Sequence, residues 1–153
     1  MAYSKAHYDL AHPKGPTRFH ESLGLQCLGV SVHVFARGEG FDFFHNHREQ
    51  EEIYFCLQGS ADLKIAGDDP ETVHLDAGDI VRVDAGTLRA IGNESADQGV
   101  VLIAGACPHP FPSGIEHHDV IADVLVICGK GSTGFTLPSY VKGTTKDTTQ
   151  DNC

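Results

Sequence analysis

Phe43-Phe44-His45-Asn46-His47-Arg48-Glu49-Gln50-Glu51-Glu52-Ile53-Tyr54-Phe55-Cys56-Leu57-Gln58-Gly59 is the stretch on which the reading of this chain turns. His45 and His47 stand two apart, so on an extended strand their rings leave the same face. Glu52 lies on the next segment and can fold back toward them. Two imidazoles and one carboxylate form a facial ligand set, which leaves the remaining positions of an octahedral metal open. The residues after Glu52 alternate. Tyr54 and Cys56 share its inward face, and Ile53, Phe55 and Leu57 point the other way. Glu51 is adjacent to Glu52, but on a strand it faces outward, so Glu52 is the carboxylate that reaches the interior.

Outward from this stretch the chain reads as short strands separated by turns. Leu23 to Ala36 is rich in β-branched residues and predicts a strand. Arg37-Gly38-Glu39-Gly40 is a turn. Strands are then expected at Phe41 to His47, Glu52 to Leu57, Ala61 to Ala66, Thr72 to Leu75, Asp79 to Val83, Thr87 to Ile91 and Gly99 to Gly105. Turn chemistry divides them, most clearly at Gly67-Asp68-Asp69-Pro70. Evenly spaced short strands with Gly-rich turns indicate an all-β antiparallel sandwich or barrel. Residues 1–22, interrupted by Pro13 and Pro16, read as an extended arm, and 23–130 as the barrel domain. Val120, Ile121, Val124, Leu125 and Cys128 fall at helical spacing, which predicts a short C-terminal helix over 116–128. Residues 131–153 form an extension whose polar stretch from about 143 is expected to be disordered.

Composition excludes several classes of function. The chain has 153 residues, enough for one domain with a core. Its formal net charge is -10, which argues against nucleic acid or an anionic membrane as partner. No apolar run has the length of a membrane span, and the first residues lack the apolar core of a signal peptide, so a cytoplasmic location is expected. The five cysteines, at 27, 56, 107, 128 and 153, are widely spaced and odd in number. They suit neither a disulfide framework nor a zinc knuckle. Cys27, Cys56, Cys107 and Cys128 read as small core residues.

With these residues in view, the chain resembles the cupin superfamily. The spacing of His45, His47, Glu52 and Gly59 is similar to the first cupin motif, with Gly38 and Gly40 flanking Glu39, where that motif usually begins on glycine. The second motif aligns without gaps as Gly78, Asp84, Gly86, Arg89 and Asn93, where Asp84 replaces the usual proline. The resemblance covers about residues 38 to 105. It implies an antiparallel double-stranded β-helix, or jelly-roll barrel, with a divalent metal on His45, His47 and Glu52. It also implies pairing of barrels, so a homodimer is expected.

One departure matters. Arg89 occupies the place of the family's fourth ligand, a histidine. A guanidinium stays protonated and has no lone pair to give. Two readings follow. In one, the metal remains on three ligands and Arg89 offers a bidentate fork to a carboxylate or phosphate bound beside it. In the other, the cation has cost the site its metal, and the barrel binds or senses an acidic ligand without catalysis. Repulsion near about 6 Å is on the order of 1–3 kcal/mol, which a three-ligand site can survive. The metal-bound reading gives a metal-dependent enzyme acting on a small acidic molecule. It would be dioxygenase-like, or an isomerase or lyase, using Fe(II) first and Mn, Ni or Zn otherwise. Arg89 would orient substrate, while Tyr54 either packs or supplies a proton. His33 reads as a core histidine and His74 as exposed. His109, His117 and His118 follow the barrel strands.

Overall fold

The computed structural model describes residues 2–95, 97–106, 125–128 and 131–138. Two five-stranded antiparallel sheets face one another. The first has the order β1-β2-β9-β4-β7, with β1 Thr17–Arg18, β2 Leu28–Ala36, β4 Glu51–Gln58, β7 Ile80–Val83 and β9 Gln98–Ala106. The second has the order β10-β3-β8-β5-β6, with β3 Phe44–His47, β5 Ser60–Ile65, β6 Glu71–Asp76, β8 Arg89–Gly92 and β10 Leu125–Cys128. Apart from the β1–β2 and β5–β6 pairs, strands consecutive in sequence alternate between the two sheets, as in a jelly roll.

Strand alternation decides what lies between the sheets. Phe35, Tyr54, Cys56, Ala61, Leu63, Leu75, Val83, Ile91, Val101 and Ile103 form one buried cluster, packed further by Phe41 and Val81. The outer face of the first sheet carries a second cluster of Phe19, Val32 and Val100. Ala6, Tyr8 and Leu23 from the N-terminal segment pack against it. That segment, expected as an arm over 1–22, contains β1 and a single helical turn, α1, His20–Leu23. Gly24 ends the turn in the left-handed conformation at φ 64°, where its amide closes onto the carbonyls of Glu21 and His20.

Gly59 permits the tight turn from β4 to β5. Its φ is +71°, and a Cβ there would overlap the carbonyl oxygen of Gln98. Asn93, fully buried, anchors the end of β8, donating from Nδ2 to the Phe35 carbonyl at 3.2 Å. Both residues belong to the motifs read from sequence, and both act on the backbone.

The expected helix over 116–128 is corrected at its C-terminal end. Leu125–Cys128 form β10, antiparallel to β3 in the register Leu125↔His47 and Ile127↔His45. Val-Ile-Cys satisfies either period, and the unpaired edge of β3 supplies the deciding hydrogen bonds. Residues 116–124, the tail from 143, and His109, His117 and His118 lie outside the described residues. Cys27 is half-buried rather than in the core, whereas Cys56 is buried.

Residues 131–138 strap the barrel. The Thr133 hydroxyl donates to the Phe41 carbonyl at 2.9 Å, and Lys64 Nζ donates to the Thr133 carbonyl at 2.7 Å. Phe135 is buried against Gly40 and Gly92, where any side chain would collide with its ring. Lys64 lies 4.4 Å above that ring, and Thr136 exchanges backbone hydrogen bonds with Gly38 and Gly40. Among the described residues, no helix is long and apolar enough to cross a membrane.

Candidate metal centre

Three strands converge on the site. On β3, alternation buries His45 and His47, while Phe41 and Phe43 stack at 5.6 Å beside them. On β4 of the facing sheet it buries Glu52, Tyr54 and Cys56. On β8, Arg89 pairs directly with His45 in the strand register and is fully buried. Sequence analysis had named His45, His47, Glu52, Tyr54 and Arg89, and the fold brings all five together.

The ligand atoms of His45, His47 and Glu52 lie within 4.8 Å of one another. His47 Nε2 is 3.0 Å from Glu52 Oε1, and His45 Nε2 is 3.8 Å from Glu52 Oε2. Two imidazole nitrogens and one carboxylate, buried and converging, are a donor set that suits a borderline divalent ion. These residues therefore fit the metal that the resemblance implies.

Glu52 is crowded with donors. Tyr54 donates its hydroxyl to Oε2 at 2.5 Å, and Arg89 Nη2 donates to the same oxygen at 2.8 Å. Gln50 Nε2 donates to Oε1 at 3.2 Å. Arg89 is held further by Nε to the Tyr54 hydroxyl at 3.2 Å and by Nη1 to the Thr87 carbonyl at 2.9 Å. Of the five N–H groups of a guanidinium, three are thus engaged. The strongest donors, one charged and one a short hydroxyl, both sit on Oε2, leaving Oε1 the more available oxygen.

The electrostatics follow from burial and these contacts. Burial lowers the His45 imidazole to about 4, against the opposing pull of Glu52, so the ring is neutral and able to ligate at pH 7. Burial pushes the Glu52 carboxyl upward, but hydrogen bonds from His45 and His47 outweigh it and hold the group well below the usual carboxylate range. Burial, with the Glu52 charge beside it, raises Tyr54 well above an ordinary phenol, so the hydroxyl keeps its proton. For Arg89, burial opposes the charge, yet Tyr54 and Glu52 more than restore it.

Among the described residues, His33 and His74 lie outside the ligand cluster. His33 packs between Phe35 and Phe41 and bonds Ser31 Oγ through Nε2 at 3.1 Å. His74 is half-exposed and pairs with Asp62 at 2.8 Å. Arg82 is exposed and pairs with Glu51 and Asp84. Sequence reasoning missed Gln50. It is buried against Glu52 although it lies between strands, and its only signal was its position two residues before the ligand.

Comparison with known proteins agrees with this geometry. Residues 31–105 match the cupin domain family. A cupin protein from Bacteroides fragilis is similar in structure, with a TM-score of 0.62 and 28% identity over 76% of this chain and 90% of that one. A conserved protein with a double-stranded β-helix domain from Klebsiella pneumoniae (TM-score 0.52, 19% identity, 67% of this chain and 90% of that one) shares the fold. So does a Cupin 2 conserved barrel domain protein from Salinispora arenicola (TM-score 0.52, 19% identity, 71% and 92%). No curated protein matches the chain. Two motifs, a jelly-roll topology and a converging His-His-Glu cluster lead to one conclusion: the chain belongs to the cupin superfamily.

Proposed function

We propose that this cupin is a metal-dependent enzyme acting on a small carboxylate or phosphate compound, working as a cytoplasmic homodimer. The observation that carries the reading is the buried convergence of His45, His47 and Glu52 within 4.8 Å. Nothing in barrel packing requires two imidazoles and a carboxylate to be buried together, and burying them unpaired is costly. A divalent ion there, Fe(II) first and Mn, Ni or Zn otherwise, supplies Lewis acidity or access to dioxygen. The acidic substrate is supported by Arg89, whose two terminal nitrogens each keep one N–H beyond the contacts described. Tyr54, protonated at neutral pH, can give or relay a proton beside Glu52. Dimerisation is supported by Ile80, 59% exposed on the edge strand β7 beside Phe55.

A second reading has its own observation. The Arg89–Glu52 ion pair at 2.8 Å gives the carboxylate a counterion without any metal, as a non-catalytic binding or sensing barrel would need. Metal analysis of protein purified without a polyhistidine tag separates the two. The enzyme reading expects near-stoichiometric metal after anaerobic Fe(II) loading. A content below about a tenth of an ion per chain overturns it in favour of the sensing barrel.

A further inference from the structure

The barrel contains a slot with no role in the ligand set read so far. Gln50 is 5% exposed, between β3 and β4, and its carboxamide lies against Gly105 on β9. Gly105 is the direct cross-strand partner of Glu52. A Cβ on Gly105 would overlap Gln50 Nε2 and come within 2.5 Å of its Cδ. Alanine therefore cannot stand at 105 while Gln50 holds its place. The neighbours Ala104 and Ala106 show that a methyl is accepted elsewhere on this strand end. The vacancy at 105 is filled by a polar side chain aimed at the carboxylate.

We infer that Gln50 is a fourth protein ligand of the metal centre, taking the coordination position that Arg89 cannot fill. The inference rests on the metal-dependent reading above. Tyr54 and Arg89 occupy Oε2 of Glu52, so Oε1 is the oxygen left for a metal, and Gln50 already sits 3.2 Å from Oε1. The amide nitrogen now faces Oε1, as suits a carboxylate with a hydrogen-bond donor beside it. Rotation about the terminal bond, whose preferences are broad, exchanges nitrogen for oxygen without moving the rest of the side chain. A carboxamide oxygen is a neutral hard donor, which adds a ligand without adding charge. The chain then replaces a histidine on β8 with a glutamine beside β4, and gives the vacated position to a cation.

The test uses the full chain, tag-free, with Zn(II) affinity measured by competition against a chromophoric chelator and Co(II) bound as a spectroscopic probe. Gln50→Ala is expected to raise the metal dissociation constant about 10- to 100-fold. Gln50→His, which exchanges an oxygen ligand for nitrogen, is expected to shift the Co(II) d–d bands. Gly105→Ala is expected to reproduce the Gln50→Ala loss, and the double variant to lose no more than either alone. The double variant also controls for folding, because truncating Gln50 removes the collision. A dissociation constant for Gln50→Ala within twofold of wild type, or Co(II) bands unmoved by Gln50→His, overturns the assignment and leaves the three-ligand centre standing. Wild-type protein that takes up neither ion overturns both.

Discussion

Replacing Arg89 with methionine tests how the cation and the metal share Glu52. The guanidinium is fully buried and makes three hydrogen bonds, to Glu52 at 2.8 Å, Thr87 at 2.9 Å and Tyr54 at 3.2 Å. Methionine keeps much of the volume but leaves the carboxylate without its counterion. Removing one partner of a buried pair costs about 3–5 kcal/mol. For a chain of this length, about 2–4 °C per kcal/mol translates that into a fall of about 6–20 °C in Tm. Metal reverses the comparison. The variant takes the charged donor off Glu52 Oε2 and removes a repulsion on the order of 1–3 kcal/mol, so its affinity for a divalent ion should rise about tenfold. Thermal unfolding followed by circular dichroism, in EDTA and then in excess Zn(II), reads both effects. The variant should melt well below wild type in EDTA and gain more from Zn(II). A variant melting within about 2 °C of wild type in EDTA would refute the reasoning, since the ion pair would then contribute almost nothing.

Two further outcomes test the frame around the site. Gly59→Ala should destabilise the fold by about 3 kcal/mol or more in urea titrations, since residue 59 has φ +71° and its added methyl meets the Gln98 carbonyl; a loss under about 1 kcal/mol would show that the turn relaxes freely. His33, lowered to about 4 mainly by burial, binds its proton more weakly folded than unfolded. Its share of stability is therefore complete above the unfolded value near 6.5 and is lost as pH falls from there toward about 4. His33→Gln should flatten the fall in stability across that window by about 1–3 kcal/mol, and an unchanged slope would contradict the shift.

Much of this protein was legible because its informative residues are local. His45, His47 and Glu52 fall within eight consecutive positions, and strand alternation alone places them on inward faces. Phe41 and Phe43, four and two positions before His45, fall on its face by the same rule. The reading stopped where register began. Arg89 could be recognised as a substitution for a ligand, but its hold on Glu52 depends on β8 lying beside β3 and opposite β4. Gln50 was invisible for the same reason, because its slot exists only where Gly105 pairs with Glu52 across β4 and β9. At the C-terminal end, periodicity over Leu125–Cys128 fitted helix and strand alike. The outcome was set by an edge some eighty residues upstream in the chain. Local chemistry was readable; long-range pairing was not.

That edge has a consequence for the order in which the molecule is made. The strand that carries both histidines is paired by β8 on one side at a single register position and by β10 on the other along its whole length. The Thr133 hydroxyl then joins to Phe41 across 92 positions of sequence. Contacts of such long separation close last. During synthesis from the N-terminus, His45 and His47 emerge early, yet their strand stays open on one side until residues 125–128 arrive. The strand that carries two of the candidate ligands is thus flanked on both sides only once the last described strand has been made.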